Sequence, residues 1–413
     1  MTTFTQFPIK FGRLLNALGR QFSYSVNEFL QYIYYRKLQF LSRFFRRPRS
    51  RNHLRNIKSL QDIGVDTLAP GDFSQKIRLL SWPANDLNID NITKLGIYHE
   101  SPGYALLTKT LYLPNRIGLY STDGIAIDKS QTYRGQGKHE KLGNQPKQCC
   151  VPKEAKLDHR LFIYMGPLFG HFGHFLTESI SRLWYTVENK DDYYLLFHGE
   201  KRLLDLAHIK SFFGLLGVNS NRLVIHDVPT RLANVVIPYA SISNRAEIFF
   251  AHKKSPELVA SNHFGDRRIN PSSQPLYLSR IQLNSGKSKY LGEGKLLNYL
   301  EKKNVRIVSP QTLSLSEQIE LFNRHETIIG AQGSAFHNVL FSLDPKILLY
   351  LCSSVGSNYF MIDAIKNNRA MYAQCVNQMP RIPLTKITPK KKFKRYYFID
   401  WDKAVDAIRE LGI

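Results

Sequence analysis

Acidic residues are scarce in this 413-residue sequence: Asp and Glu number 33 against 57 Lys and Arg, a formal charge of +24 at pH 7 and a pI near 9.8. Before Asp62 the only acid is Glu28. Such a field favours anionic partners, whether phosphate ligands, anionic lipid or nucleic acid, and does not choose among them. Cysteine is scarce too, with four residues at 149, 150, 352 and 375. No pair has zinc-ligand spacing and no disulfide framework is suggested, which fits a reducing compartment. No run approaches the roughly 20 apolar residues of a membrane span. The N-terminus has no continuous apolar core followed by a small-residue cleavage site, so no signal peptide is expected. What is present suffices for sizeable cores. The apolar share is 43% and the aromatic share 12%, over a length that allows two or three domains.

Residues 1–60 stand apart as a basic extension. Apolar residues recur at Phe11, Leu14, Leu15, Leu18, Phe22, Phe29, Ile33, Leu41, Phe44 and Phe45, a largely helical spacing. Arg13, Arg20, Arg36, Lys37, Arg43, Arg46 and Arg47 accompany them. Three readings remain open: residues 11–47 as an amphipathic helix or helix pair on an anionic membrane, a helix packed on the body with a solvated basic face, or a nucleic-acid arm.

The rest divides into segments 61–245 and 246–413. In the first, 103–113, 118–120 and 124–127 read as a β-meander with a hairpin turn at Asp123-Gly124, and 133–150 reads as a polar loop. A strand at 161–164 follows, then a loop with His171 and His174, a helix to Glu188, strands at 193–197 and 222–225 flanking a helix at 201–216, and a closing strand at 235–238. Residues 240–274 read as a connection with a short helix near 245–252. The second segment reads as strand 276–280, helix 292–303, strand 305–308, helix 315–323, strand 326–329 and a glycine turn at 330–334 feeding a helix. Strand 347–351, helix 359–366, strand 370–373 and a final helix after Asp400 complete it; the lysine run at 389–392 reads as a solvated loop. Strands alternating with helices of this length indicate an α/β class with parallel sheets. Ligands of such sheets lie beyond the carboxyl ends of the strands. Arg280 and the 330–334 turn both fall at strand ends, so one crevice is expected to hold both.

The chemistry there suits an anion. A glycine turn lets backbone N–H groups approach a phosphate, and a helix start adds favourable potential. Arg280 can add a charge-assisted contact. The bland alternative is that Gly330 and Gly333 only allow tight packing. Upstream, His174 and Glu178 are four apart and present on one helical face. Histidine with a carboxylate partner suits general-base work. A brace for the helix, or a zinc site completed by His171, are the alternatives. Asp400-Trp-Asp402 is a D-x-D, but directly before a helix Asp402 reads as an N-cap. His337 could meet a ligand or be a packed histidine.

The block Tyr277-Leu-Ser-Arg280, Glu293, Val308-Ser-Pro310, Ser316-Glu-Gln318 and Gly330-Ala-Gln-Gly-Ser-Ala-Phe-His-Asn-Val-Leu-Phe341 resembles glycosyltransferase family 61 in order and spacing. Gly173-His174-Phe-Leu-Thr-Glu178 and Arg182-Leu183 add an upstream match. Gln332 and Ser334 stand where the family often has His and a small residue, and His171 or Phe172 where it often has Asn. The resemblance implies a GT-B-like fold, two Rossmann-like domains facing across a cleft, here with the basic helical extension. It implies inverting, metal-independent transfer from a nucleotide sugar to a glycan or lipid-linked glycan, in surface or capsular polysaccharide biosynthesis, with no cofactor besides the donor. Ser279, Arg280, Glu293, Gly330, Gln332, Gly333, Ser334 and Asn338 would meet the donor, and His171 and Arg182 would lie on the acceptor side. His174 or Glu178 would be the base. The family's eukaryotic members are largely luminal and membrane-anchored, so the missing anchor points to a bacterial-type cytoplasmic enzyme, with a peripheral place on the inner membrane face left open. Two other classes remain: a non-catalytic nucleotide- or sugar-binding module, and a nucleic-acid-binding protein. The charge alone suggests the latter and no aromatic-basic motif supports it, so no nucleic acid is expected.

Overall fold

The computed structural model describes residues 56–59, 77–81, 92, 95–135, 140–141, 143–189, 192–284, 286–379 and 393–413. The basic segment 11–47 and the lysine run 389–392 lie outside the described residues. The described chain is a mixed α/β structure built on two large sheets. Among the described residues no helix is long and apolar enough to cross a membrane.

The first sheet has six strands, in the order Leu223–Val224, Tyr194–His198, Lys156–Pro167, Thr230–Pro238, Tyr104–Leu113 and Arg116–Tyr120. The first four are mutually parallel and the last two antiparallel. In chain order the parallel strands run third, second, first, fourth. The direction of winding therefore reverses beside Lys156–Pro167, and ligands of such sheets bind beyond the carboxyl end of a strand at that position.

The second sheet has seven strands, in the order Arg306–Val308, Leu276–Leu278, Thr327–Ala331, Ile347–Leu351, Arg369–Ala373, Ile77–Ser81 and Asn56–Ser59. All pairs are parallel except the last. From Leu276 onward the strands lie second, first, third, fourth, fifth, so winding reverses between Leu276–Leu278 and Thr327–Ala331. The Ile-Leu-Leu-Tyr-Leu run at Ile347–Leu351 is almost wholly buried, as a central strand with both faces covered must be. A small third sheet pairs Gly286–Leu291 with Phe393–Ile399 and carries Tyr290 toward the end of the second sheet.

Helices between the sheets share one apolar core. Phe175, Phe212 and Phe213 from the first half belong to the same cluster as Ile319, Phe322 and Phe341 from the second. Phe212 meets Phe341 edge-on at 6.1 Å. Fully burying one such ring contributes roughly 1.5–3 kcal/mol, more than the ~0–1 kcal/mol of an exposed ion pair. This seam holds the halves together.

Several expectations need correction. Ile77–Ser81 lies inside segment 61–245, yet it pairs with Arg369–Ala373 in the second sheet. That strand's open edge needs a partner, and Leu79 and Leu80 are buried there at 1% and 0% exposure. Asn56–Ser59, inside the extension expected to be helical, is a strand beside it. The two meander strands continue the first sheet, while 124–127 makes only isolated bridges. The helix expected near 245–252 is instead Lys254–Phe264. Arg245 adopts φ 67°, a left-handed conformation that no helix of L-residues continues through. In the last helix, Trp401–Arg409, Asp400 and not Asp402 is the cap, accepting from the Lys403 N–H at 3.4 Å.

Against the strands Ile347–Leu351 and Arg369–Ala373, Asp363 is fully buried and accepts from Tyr372 (2.6 Å), Asn368 (2.9 Å) and Tyr350 (3.1 Å). Burial pushes its carboxyl up to about 7, only partly offset by those bonds. The folded state then holds this proton more tightly than the unfolded chain does. Its contribution to stability is complete below the usual carboxylate range and is lost as pH rises toward 7. Asp363→Asn should therefore flatten the fall in the urea midpoint between pH 5 and pH 8. Parallel falls in wild type and variant would contradict this.

Candidate active site

The first loop follows Lys156–Pro167. The chain turns into the short helix Phe172–His174 and widens to a π-turn over Phe175–Ser179, with the Ile180 N–H donating to Phe175 O at 3.2 Å. Such turns are frequent at functional sites. The Phe169 N–H donates to Ser179 Oγ at 2.9 Å, and Thr177 Oγ1 donates to Gly173 O at 2.9 Å, fixing the loop. His174 Nδ1 then lies 2.8 Å from Glu178 Oε2.

Glu178 is buried and fully engaged. Arg134 donates to it twice, Nε to Oε1 at 2.6 Å and Nη2 to Oε2 at 3.0 Å. Asn244 Nδ2 donates to Oε1 as well. Burial alone would raise this carboxyl, but His174 and Arg134 outweigh it and hold it below its ordinary value. The carboxylate also assigns the histidine's tautomer: Nδ1 must carry the proton it donates, leaving Nε2 as the acceptor. Arg134 Nη2 lies 3.2 Å from Nδ1, but a protonated Nδ1 cannot accept from it. The His174 side chain is 44% exposed, and its Nε2 bonds to no group among the described residues. His171 is exposed beside it, ring centroids 5.1 Å apart.

The second loop follows Leu276–Leu278. Glu293, at the start of helix Glu293–Lys302, accepts from the Arg280 N–H at 2.7 Å and from Tyr277 Oη at 3.4 Å. Ser279 also bonds its carboxyl, and burial still raises the group above its ordinary value. Ser279 and Glu293 are each 1% exposed, so they shape the loop from behind. The Arg280 guanidinium lies over the Tyr290 ring at 5.2 Å and donates through Nη2 to Ser288 O at 3.3 Å. A Cβ on Gly333 would stand 2.3 Å from Arg280 Nη1, so this glycine makes room for the guanidinium. Tyr290 Oη donates to Gln332 O at 3.1 Å.

Gly330, expected in the turn, is inside strand Thr327–Ala331. A Cβ there would lie 3.1 Å from Leu278 O and 3.3 Å from the Phe336 ring. Gly333 caps a 3-10 helix, Ser334–Phe341. Asn338, fully buried, donates to Gln318 Oε1 at 2.7 Å and Ala335 O at 2.9 Å, tying this helix to Leu315–Arg324.

The two loops meet. A Cβ on Gly173 would stand 3.0 Å from both Ser334 Cβ and His337 Nδ1. The turn at Asn244 touches both halves: Asn244 bonds Glu178, and the Arg245 N–H donates to Asn358 Oδ1 at 3.3 Å. Around this junction Arg280 Nε, Gln332 Nε2, Asn244 Oδ1 and both nitrogens of His337 are buried without a protein partner among the described residues. Buried polar groups are normally paired, so these are groups a ligand can satisfy. Arg182 stands differently. It is 1% exposed, with its guanidinium donating to Pro238 O at 3.0 Å, Gln131 O at 3.1 Å and Lys129 O at 3.2 Å. It braces the first half from inside and offers no surface to a ligand.

Arg134 and Asn244 had no signal in the sequence. Arg134 lies in the stretch expected to be a polar loop, on the short ladder Tyr133–Arg134 with Glu140–Lys141. Among the described residues no three His, Cys, Asp or Glu side chains group as a metal site would need. His174 and Glu178 bind each other, and Arg134 binds Glu178.

No curated protein matches this sequence. Residues 172–350 match the family model described as Glycosyltransferase 61. The matched span runs from the helix holding His174 and Glu178 through Arg280 and the Gly333–Ser334 turn to the strand Ile347–Leu351. Arg134 lies outside it. Residues 172–350 of the chain are thus a glycosyltransferase family 61 domain.

Proposed function

We propose that this glycosyltransferase transfers its sugar with inversion and without a metal, from a nucleotide sugar held on the second half to a glycan or lipid-linked glycan reaching the first half. In this reading the two sheets are the halves of a GT-B arrangement and the product belongs to a surface or capsular polysaccharide. The observation that carries it is the contact of Gly173 with Ser334 and His337, which sets a histidine–carboxylate pair beside a cationic turn.

His174 Nε2 takes the proton of the acceptor hydroxyl as its oxygen bonds to the anomeric carbon. The bond from that carbon to the diphosphate breaks, and the leaving group departs with the electron pair. Glu178 is a positioning residue: it holds the tautomer and stabilises the imidazolium, while Arg134 and Asn244 hold Glu178. Charge growing on the diphosphate is met by Arg280 and by the backbone N–H groups at the start of Ser334–Phe341. The buried unpaired Arg280 Nε supports this assignment.

The test is turnover of a nucleotide-sugar panel with and without EDTA. Hydrolysis or transfer that survives chelation is the expected result. Loss of turnover restored by Mn²⁺ or Mg²⁺ would reject the metal-free part and reopen Asp400 and Asp402.

A further inference from the structure

One small sheet beside the candidate active site plays no part in the chemistry above. Its strands are Ile242–Ser243, Glu247–Phe249 and Gly96–Tyr98, in that order. One face is core, with Ile242, Ile248 and Ile97 buried in the cluster shared by the halves. Side chains alternate between faces along a strand, and directly paired residues share one. Ser243, Glu247, Phe249, Gly96 and Tyr98 therefore make up the other face. Tyr98 is 38% exposed. Its ring lies against that of Phe249, centroids 4.8 Å apart. It also runs back over Gly96, where a Cβ would stand 2.6 Å from Tyr98 Oη and 2.7 Å from Cε2. The missing side chain at Gly96 lets the ring lie along the strand while more than a third of the residue stays open to solvent. Glu247 pairs directly with Gly96, so its side chain leaves the sheet beside the ring. The carboxylate is half-buried and has no hydrogen bond or ion pair among the described residues.

An accessible aromatic ring beside a carboxylate with free acceptor capacity suits a sugar. The apolar C–H face of a pyranose fits the electron-rich face of the ring. Its hydroxyls can donate to the carboxylate. A nucleotide suits this place less, because its phosphates carry the same sign of charge as Glu247. Position ties the ledge to the first half's side of the site. Ser243, on the same face, donates through Oγ to Tyr133 O at 3.5 Å, next to Arg134, which holds Glu178. Asn244, in the turn between the first two strands, bonds Glu178 as well. From Ser243 to Gly96 is two strand spacings, roughly 10 Å. A base reaches only about 3 Å, so the ledge lies beyond the reacting hydroxyl.

We propose that Tyr98 and Glu247 form a subsite for a pyranose unit of the acceptor glycan, set back along the chain from the unit that reacts. This rests on the reading of the acceptor as a glycan and goes beyond it in naming where that chain is held.

Saturation-transfer NMR on the full chain tests it, with methyl glycosides and tetrasaccharides of glucose, galactose, mannose and N-acetylglucosamine as probes at millimolar concentration. At least one should receive saturation at the C–H groups of one ring face. Tyr98→Ala should weaken that binding roughly two- to tenfold, the worth of one aromatic contact. Tyr98→Phe, which keeps the ring, should retain it, and Glu247→Gln should weaken it by a comparable factor. Should Tyr98→Ala fail to fold because Gly96 loses its cover, Tyr98→Ile keeps a cover without the aromatic face and carries the same test. The inference is overturned if none of these glycans binds, if Tyr98→Ala or Tyr98→Ile binds as wild type does, or if the only effect of the substitution is to turn a dimer into a monomer, which would assign the ledge to a second copy of the chain. Turnover of a nucleotide-sugar panel, run alongside, separates this inference from the proposed function. Glycan binding without turnover would reject the proposed reaction and keep the subsite; turnover without glycan binding would do the reverse.

Discussion

His174→Ala should lower kcat by about 10²–10⁴-fold, the usual contribution of a general base, while leaving nucleotide-sugar affinity nearly unchanged. The ring belongs to the first half, its side chain is 44% exposed and its Nε2 bonds no described protein group, so removing it breaks no bond that holds the loop of Arg280. Glu178→Gln should also reduce kcat, for a different reason. Glu178 accepts from Arg134, Asn244 and His174 at once. An amide would turn an N–H₂ group toward one of those donors and leave the imidazole's proton unfixed. The contrast separates the roles. The alanine variant removes the proton acceptor. The glutamine variant keeps it and disturbs its tautomer, so its pH profile should shift as well as fall. Stopped-flow or coupled assays on both variants, with donor affinity measured alongside, check the split. Near-normal turnover in His174→Ala would move the base elsewhere, with His171 the next candidate.

The second large effect is expected at Arg280. Arg280→Ala should weaken nucleotide-sugar binding by roughly 1.5–3 kcal/mol, the range for a hydrogen bond to a charged group, or about 10- to 160-fold. The loop should survive, because Glu293 holds it through the Arg280 backbone N–H and through Ser279, neither of which the substitution removes. Gly333→Ala offers an independent check. Gly333 has φ −176°, extended backbone that alanine also adopts, so the change acts only through the Cβ that would meet Arg280 Nη1. It should reproduce part of the affinity loss with little change in Tm. Calorimetry with the nucleotide and the nucleotide sugar measures both. Unchanged affinity in Arg280→Ala would remove this turn from the donor site.

The second half was largely legible in the sequence. Its helices Glu293–Lys302, Leu315–Arg324 and Ser357–Lys366 and its central strands carry their own local signals: apolar periodicity, the Ser314–Glu317 capping box, and uninterrupted apolar runs. Local pattern could not reveal which distant strand would fill an edge. Ile77–Ser81 reads as a short apolar strand wherever it lies, and only pairing with Arg369–Ala373 assigns it to the second sheet. The same limit hid half of the candidate site. His174 and Glu178 declare themselves by spacing on one helix, whereas Arg134 and Asn244 arrive from 40 or more positions away, on a two-residue strand and a tight turn. Spacing also could not say which of the pair is the base. The assignment proposed here rests on the carboxylate's burial and its three partners, which no single segment contains.

The anomeric configuration of the first product tests the central claim most directly. The nucleotide sugar that the enzyme turns over best is hydrolysed in EDTA and followed by proton NMR before the free sugar mutarotates. If His174 delivers a deprotonated oxygen to the face opposite the diphosphate, an α-linked donor must release the β sugar first, and the His174→Ala variant must release it far more slowly. Release of the α sugar first would contradict direct displacement, and with it the arrangement of base and diphosphate on opposite sides of one sugar.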